Sequence, residues 1–198
     1  EMVDIMKKKI ILSVCAAVAM AFSLPSHAQR LIPKQKGIEV MGSVPLIKGE
    51  KFFGKDNFGL GISLTRYLKR ENYSFVGVEY EQQNMPYRDY SVKLKDVLLQ
   101  VGYMYPVLSD RGKNVLLYGG ISALGGYEQL NEDKKLLPNG ATLLDRSRFV
   151  YGGAVHGSVE VFLTDRLLFL VKAQGRLLFG SDVHRFRPAL SAGLRFNI

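Results

Sequence analysis

The sequence predicts an all-β fold: an eight-stranded antiparallel up-and-down β-barrel of outer-membrane type, preceded by a cleaved signal peptide. Three observations carry that reading. From Gly37 to Ile198 apolar residues recur with a period of two, not 3.6. The connections between the candidate strands alternate in length, as they do in outer-membrane barrels with short periplasmic turns and longer outside loops. The N-terminus carries the three parts of an export signal.

The export signal comes first. Met6 precedes Lys7, Lys8 and Lys9, and Ile10 to Leu24 carry no charge. Ser26-His27-Ala28 then offers small residues around a cleavage point before Gln29. Residues 1–28 read as a signal peptide with a short upstream extension. Leu12-Ser13-Val14-Cys15 also resembles a lipidation motif, but Val14 is large and the apolar run before Cys15 is short. Cys15 is the only cysteine of the 198 residues, so residues 29–198 can use neither disulfides nor thiol chemistry. Their longest charge-free stretch, Asn114 to Tyr127, falls short of the ~18 apolar residues of a spanning helix.

Residues 29–36 (QRLIPKQK) read as an extended basic lead-in, and residues 37–198 as one barrel domain. The predicted strands are 37–46, 58–68, 73–81, 95–107, 115–127, 149–162, 167–178 and 187–198, rich in Gly, Val, Tyr and Phe. Lengths of 9–14 residues suit the ~9–11 needed to cross a bilayer at a tilt. The first, third, fifth and seventh connections (47–57, 82–94, 128–148, 179–186) are the longer ones. The others (69–72, 108–114, 163–166) are short. The third contains Pro86, which argues for a loop. The closing stretch, LSAGLRFNI, alternates without interruption and should pair with the first strand.

Alternation also sorts the faces. Lys172, Gln174 and Arg176 share one face of the seventh strand, opposite Phe169, Val171, Ala173 and Leu177. His156, Ser158 and Glu160 alternate with Val155, Val159 and Val161, and Glu79 and Glu81 oppose Val76, Val78 and Tyr80. Arg195 lies between Leu194 and Phe196. Glu79, Glu81, His156, Glu160, Lys172, Arg176 and Arg195 are therefore expected to form a charged network in a narrow lumen. Phe58, Tyr67, Tyr73, Tyr103, Tyr105, Tyr127, Phe149, Phe162, Phe169, Phe179 and Phe196 lie near strand ends and are expected to form interfacial girdles. The competing fold is a soluble periplasmic barrel of lipocalin type, with its apolar face inside.

Eight strands enclose an interior just wide enough for side chains, which disfavours a pore. His156 and Ser158 sit two apart on one strand face, so a small barrel enzyme acting on envelope lipid is an alternative. Their inward parity favours a lumen network instead, and no catalytic residue is assigned. His184 and Asp182 are too few for a metal site. Gly119-Gly120, Gly125-Gly126 and Gly152-Gly153 lack the strand–turn–helix context of a phosphate loop. No cofactor or metal is expected. The net charge is +9, but the cations are scattered among acids, so no direct nucleic-acid binding is expected. Outer-membrane lipid is the expected medium.

Several stretches resemble the conjugative transposon protein TraO family, found in Bacteroides-type elements. They are Gln29 to Glu39, Lys55-Asp56-Asn57-Phe58, Phe149 to Ala154, Leu163-Thr164-Asp165-Arg166, and Phe186-Arg187-Pro188 leading to Gly193-Leu194-Arg195-Phe196. The resemblance implies a role in conjugal transfer, as a non-enzymatic component of a mating apparatus that spans the cell envelope. It supplies no catalytic motif. Other conjugal transfer proteins in the periplasm or outer membrane are the partners it implies. Lys34, Lys36, Lys69 and Arg70 would face the periplasm and are candidate docking residues.

Overall fold

A computed structural model describes residues 32–46, 57–87, 90–130, 148–181 and 185–198. They form eight strands: β1 (Lys36–Pro45), β2 (Phe58–Tyr67), β3 (Tyr73–Tyr87), β4 (Tyr90–Ser109), β5 (Val115–Leu130), β6 (Arg148–Phe162), β7 (Leu167–Phe179) and β8 (Phe186–Asn197). Each pairs antiparallel with its sequence neighbour, and β8 pairs with β1 to close the barrel. The closing register runs from Gly37↔Asn197 to Pro45↔Ala189. Beyond it, the Ile198 amide donates to the Lys36 carbonyl at 2.8 Å. Closure leaves no strand edge around the wall, which is what a lipid-embedded sheet requires.

The wall is apolar outside and polar inside. Ile121 and Val155 are 65% and 62% exposed, whereas Arg195 and Glu160 are 0% exposed. This is the reverse of a soluble ligand-carrying barrel, whose apolar face lines the interior, and it removes the lipocalin-like alternative. The outward faces of β1 to β4 show the pattern at its clearest, with Ile38, Val40, Leu60, Ile62, Leu64, Val76, Val78, Val97, Leu99 and Val101 exposed.

Two expectations need correction. The third connection is not a long loop. β3 and β4 continue as a two-stranded ribbon to Tyr87↔Tyr90, leaving residues 88–89 between them. Pro86 is tolerated because, among the described residues, the β2–β3 ladder ends at Gln82, so on that side the strand has no ladder to lose. Pro106 is accommodated differently, at a register shift in the β4–β5 ladder. The second correction concerns Tyr67, Tyr73 and Phe162, which do not belong to an outer girdle. Tyr67 and Tyr73 are fully buried in the lumen with Tyr118, Leu116 and Met104, and half-buried Phe162 packs against that cluster. The exposed aromatics Phe58, Tyr103, Tyr105, Tyr127, Phe149, Phe169, Phe179 and Phe196 do lie on the outer face.

The predicted signal peptide, residues 1–28, lies outside the described residues. So do His184 and most of the loops at 47–57 and 128–148.

Candidate functional site

The lumen is filled in three layers. The first lies at the end where β1 begins and β8 ends. There Arg195 of β8 donates to Glu39 of β1 at 2.7 Å, to Glu160 of β6 at 2.6 Å and to the Tyr67 hydroxyl at 2.7 Å. Its guanidinium stacks 4.2 Å from the centroid of Tyr73, whose hydroxyl donates to Glu160 at 2.6 Å. Tyr67, Tyr73 and Tyr118 meet edge to face, with ring centroids 5.5 and 5.1 Å apart. Rings fill the space while their hydroxyls satisfy buried charge. A buried guanidinium held by two carboxylates loses its hydration, and the fork geometry compensates through several charge-assisted bonds.

The middle layer is more polar. Lys172 forms an ion pair with Glu39, so that carboxylate bridges two cations. Glu79 accepts from Gln100 at 2.6 Å, from Ser43 at 3.2 Å and from Gln174 at 3.2 Å. A cavity of about 40 Å³ remains among Glu39, Ser43, Glu79, Gln100, His156 and Gln174, room for little more than a water. The third layer lies toward the longer loops. Arg176 pairs with Glu81 and approaches Glu79 at 3.8 Å. Arg187 donates to Asp96 and Glu128, each at 2.6 Å, and Ser181 donates to Glu128 at 2.8 Å.

All seven residues expected in a lumen network thus point inward. The structure does not bring His156 and Ser158 together as a base and nucleophile. The His156 ring nitrogen Nε2 is 2.8 Å from Ser122 of β5, and Ser158 donates to Glu160 at 3.4 Å. His156 packs edge-on against Phe75. Sequence reasoning missed Glu39, Asp96, Glu128 and Arg187. Glu39 was legible, since it alternates with Ile38 and Val40 in the first strand. Arg187 and Asp96 were legible on the same ground, since they lie inside the predicted strands 187–198 and 95–107 on the parity of Arg195 and Gln100. Glu128 lies one residue past the predicted end of β5, where the period had no span in which to assign it.

The terminal-end rim is basic. Residues 32–35 form a turn docked onto β2, with the Lys34 amide donating to the Tyr67 carbonyl and the Tyr67 amide to Gln35, both at 2.9 Å. Lys34 therefore stands beside the β2–β3 turn, a single 3₁₀ turn over Lys69–Glu71. Lys34, Arg70, Glu71 and Lys113 hold φ of 74°, 61°, 65° and 56°. These are the non-glycine residues with positive φ among those described, and all lie at this rim. The left-handed region costs such residues energy and marks a closely specified turn. Lys113 pairs with Glu71 across two turns. Lys36 differs from the other three candidate docking residues: it opens β1 and points outward, directly opposite Arg66 of β2.

The family described as conjugative transposon protein TraO matches residues 32–198. No curated protein matches. Among solved structures, Neisserial surface protein A is 14% identical, with a TM-score of 0.52, over 83% of this chain and 96% of that one. OprG from Pseudomonas aeruginosa is 11% identical, with a TM-score of 0.52, over 86% and 98%. Ail, the attachment invasion locus protein of Yersinia pestis, is 12% identical, with a TM-score of 0.51, over 84% and 100%. At these identities the likeness is one of fold: the outer-membrane type of barrel.

Proposed function

The chain belongs to the family of the conjugative transposon protein TraO, and from that premise we propose that it is a non-enzymatic outer-membrane component of a conjugal transfer apparatus that anchors or organises other transfer proteins. The observation that carries this reading is the filled lumen. Ion pairs and rings occupy it from the Arg195 cluster to the Arg187 cluster, so neither a DNA strand nor a folded protein passes through. What remains for function is the two rims and the wall.

An even strand number puts both termini and the short turns on one side, the periplasmic side in barrels of this type. The rim there carries Lys34, Lys69, Arg70 and Arg166 against fewer acids. Such a surface suits an acidic face on a periplasmic transfer protein, and electrostatic complementarity would set its orientation. Charge reversal by Lys34→Glu, Lys69→Glu and Arg70→Glu should lower transfer frequency at least tenfold. The amount of protein in the membrane should not change, nor its shift on a detergent gel between boiled and unboiled samples. Unchanged transfer removes the docking reading.

The enzyme reading rests on His156 and Ser158. It has less support, because both side chains are turned into the lumen and bonded to other partners. Ser158→Ala separates the two readings. A structural component keeps its transfer frequency, whereas an enzyme with this nucleophile loses its activity.

A further inference from the structure

The outer wall near the terminal rim holds a groove of about 450 Å³. Two rows of outward-facing residues build most of it, and Ile198, whose amide donates to the Lys36 carbonyl, closes one end. The register places Lys36 opposite Arg66 and Arg66 opposite Ser74, forming a polar row across β1, β2 and β3. Two residues further along the strands, Ile38, Leu64, Val76 and Val101 form an apolar row across β1 to β4. At ~3.4 Å per residue the rows lie roughly 7 Å apart. The polar row is at the rim and the apolar row is one step deeper into the wall.

The polar row has an unsettled charge. Cross-strand neighbours on one face stand about 5 Å apart, and like charges there repel. Among the described residues neither Lys36 nor Arg66 forms an ion pair, and both are exposed. An anion seated between them would relieve that repulsion. Arg offers a fork suited to phosphate and Lys a point charge. The small Ser74 side chain leaves room on the far side of Arg66.

We propose that this groove binds one anionic glycerophospholipid of the leaflet nearest the start of β1 and the end of β8. Its phosphate diester sits between Lys36 and Arg66, and an acyl chain lies along Ile38, Leu64, Val76 and Val101. The occupant follows from the two rows together. A soluble anion would not use the apolar row, and an uncharged lipid would leave the two cations facing each other. The volume falls in the range of ~300–1,000 Å³ typical of small-molecule sites. The inference rests only on the wall lying in a bilayer and not on the docking of other transfer proteins.

The test uses the purified full chain in neutral detergent, offered phosphatidylglycerol and phosphatidylcholine in equal amounts and read by native mass spectrometry. The protein should retain one phosphatidylglycerol at least tenfold in preference to phosphatidylcholine. Lys36→Gln with Arg66→Gln should abolish the preference, whereas Lys93→Gln, an exposed cation on the β3–β4 ribbon, should leave it intact. Leu64→Trp, which fills the groove without touching the cations, should reduce retention at least tenfold. Every substituted position is exposed, and the gel shift between boiled and unboiled samples checks that each barrel is folded. An undiminished preference for phosphatidylglycerol in the double variant overturns the proposal. So does retention of both lipids alike by the unaltered protein, or displacement of the lipid by millimolar inorganic phosphate, which would mean a free-anion site. Transfer assays are not needed, so this inference and the docking reading can fail independently.

Discussion

Arg195 touches more of the lumen than any single pairing suggests. It joins Glu39, Glu160 and Tyr67 by hydrogen bonds and Tyr73 by its ring face. Arg195→Met keeps the volume but leaves Glu160 buried without its cation, a loss of about 3–5 kcal/mol. The expected result is a large drop in the urea midpoint for unfolding from lipid vesicles. The protein has no tryptophan, so the gel-band shift is the practical readout. Adding Glu160→Gln should restore part of that loss, by ~0.5–3 kcal/mol of coupling, because the amide still accepts from Tyr73 and no longer needs a cation. Glu39 keeps Lys172 in both variants. The inward direction of Arg195, Glu160 and Lys172 was legible from parity alone. Their pairing was not. Glu39 and Arg195 are 156 residues apart, and Glu39 and Lys172 133. Which charges meet across a barrel depends on the shear of the whole sheet, to which a two-residue period is blind.

Single strands posed a different difficulty for sequence reasoning. The usual tendencies of proline and aromatic residues point the wrong way at three positions, where tertiary context decides. Pro86 reads as a loop until the missing β2 partner is known. Tyr67 and Tyr73 read as girdle residues until the lumen proves to need rings with hydroxyls near Arg195. The glycines of β6 make the same point in a testable form. Gly152 and Gly157 look equivalent in sequence. A Cβ on Gly152 would land on the Leu177 carbonyl of β7, whereas one on Gly157 would meet nothing within 4 Å. Gly152→Ala therefore requires the β6–β7 backbones to separate, at about 1–3 kcal/mol. Gly157→Ala should be neutral or stabilising by ~0.5–1 kcal/mol, since it only removes chain entropy. The pair of unfolding midpoints checks both, and equal midpoints would mean that β6 and β7 are not in such close contact at Gly152.

At the scale of the whole molecule, closure and filling are separable properties. Filling predicts that the reconstituted protein passes no steady ionic current across a planar bilayer, because ion pairs and rings block the lumen and the cavity beside Glu79, about 40 Å³, is far from a continuous path. Closure depends on the β1–β8 ladder. Deleting Leu194–Ile198 removes the pairs Gly37↔Asn197, Ile38↔Phe196, Glu39↔Arg195 and Val40↔Leu194, and with them the Ile198–Lys36 bond. The freed edge of β1 would expose backbone groups to hydrocarbon, where each unsatisfied group costs several kcal/mol. The deletion also removes Arg195, so by itself it would confound an open seam with a broken ion cluster. Arg195→Met supplies the control, because it breaks the cluster and keeps the ladder. If the seam governs assembly, Arg195→Met still reaches the membrane in a form that shifts on boiling, with a lowered midpoint. The deletion variant never acquires that form. A truncated barrel that inserts and shifts like the full chain would show that the remaining pairs, Met41↔Gly193 to Pro45↔Ala189, suffice for closure, and would overturn the role assigned to the end of the β1–β8 ladder.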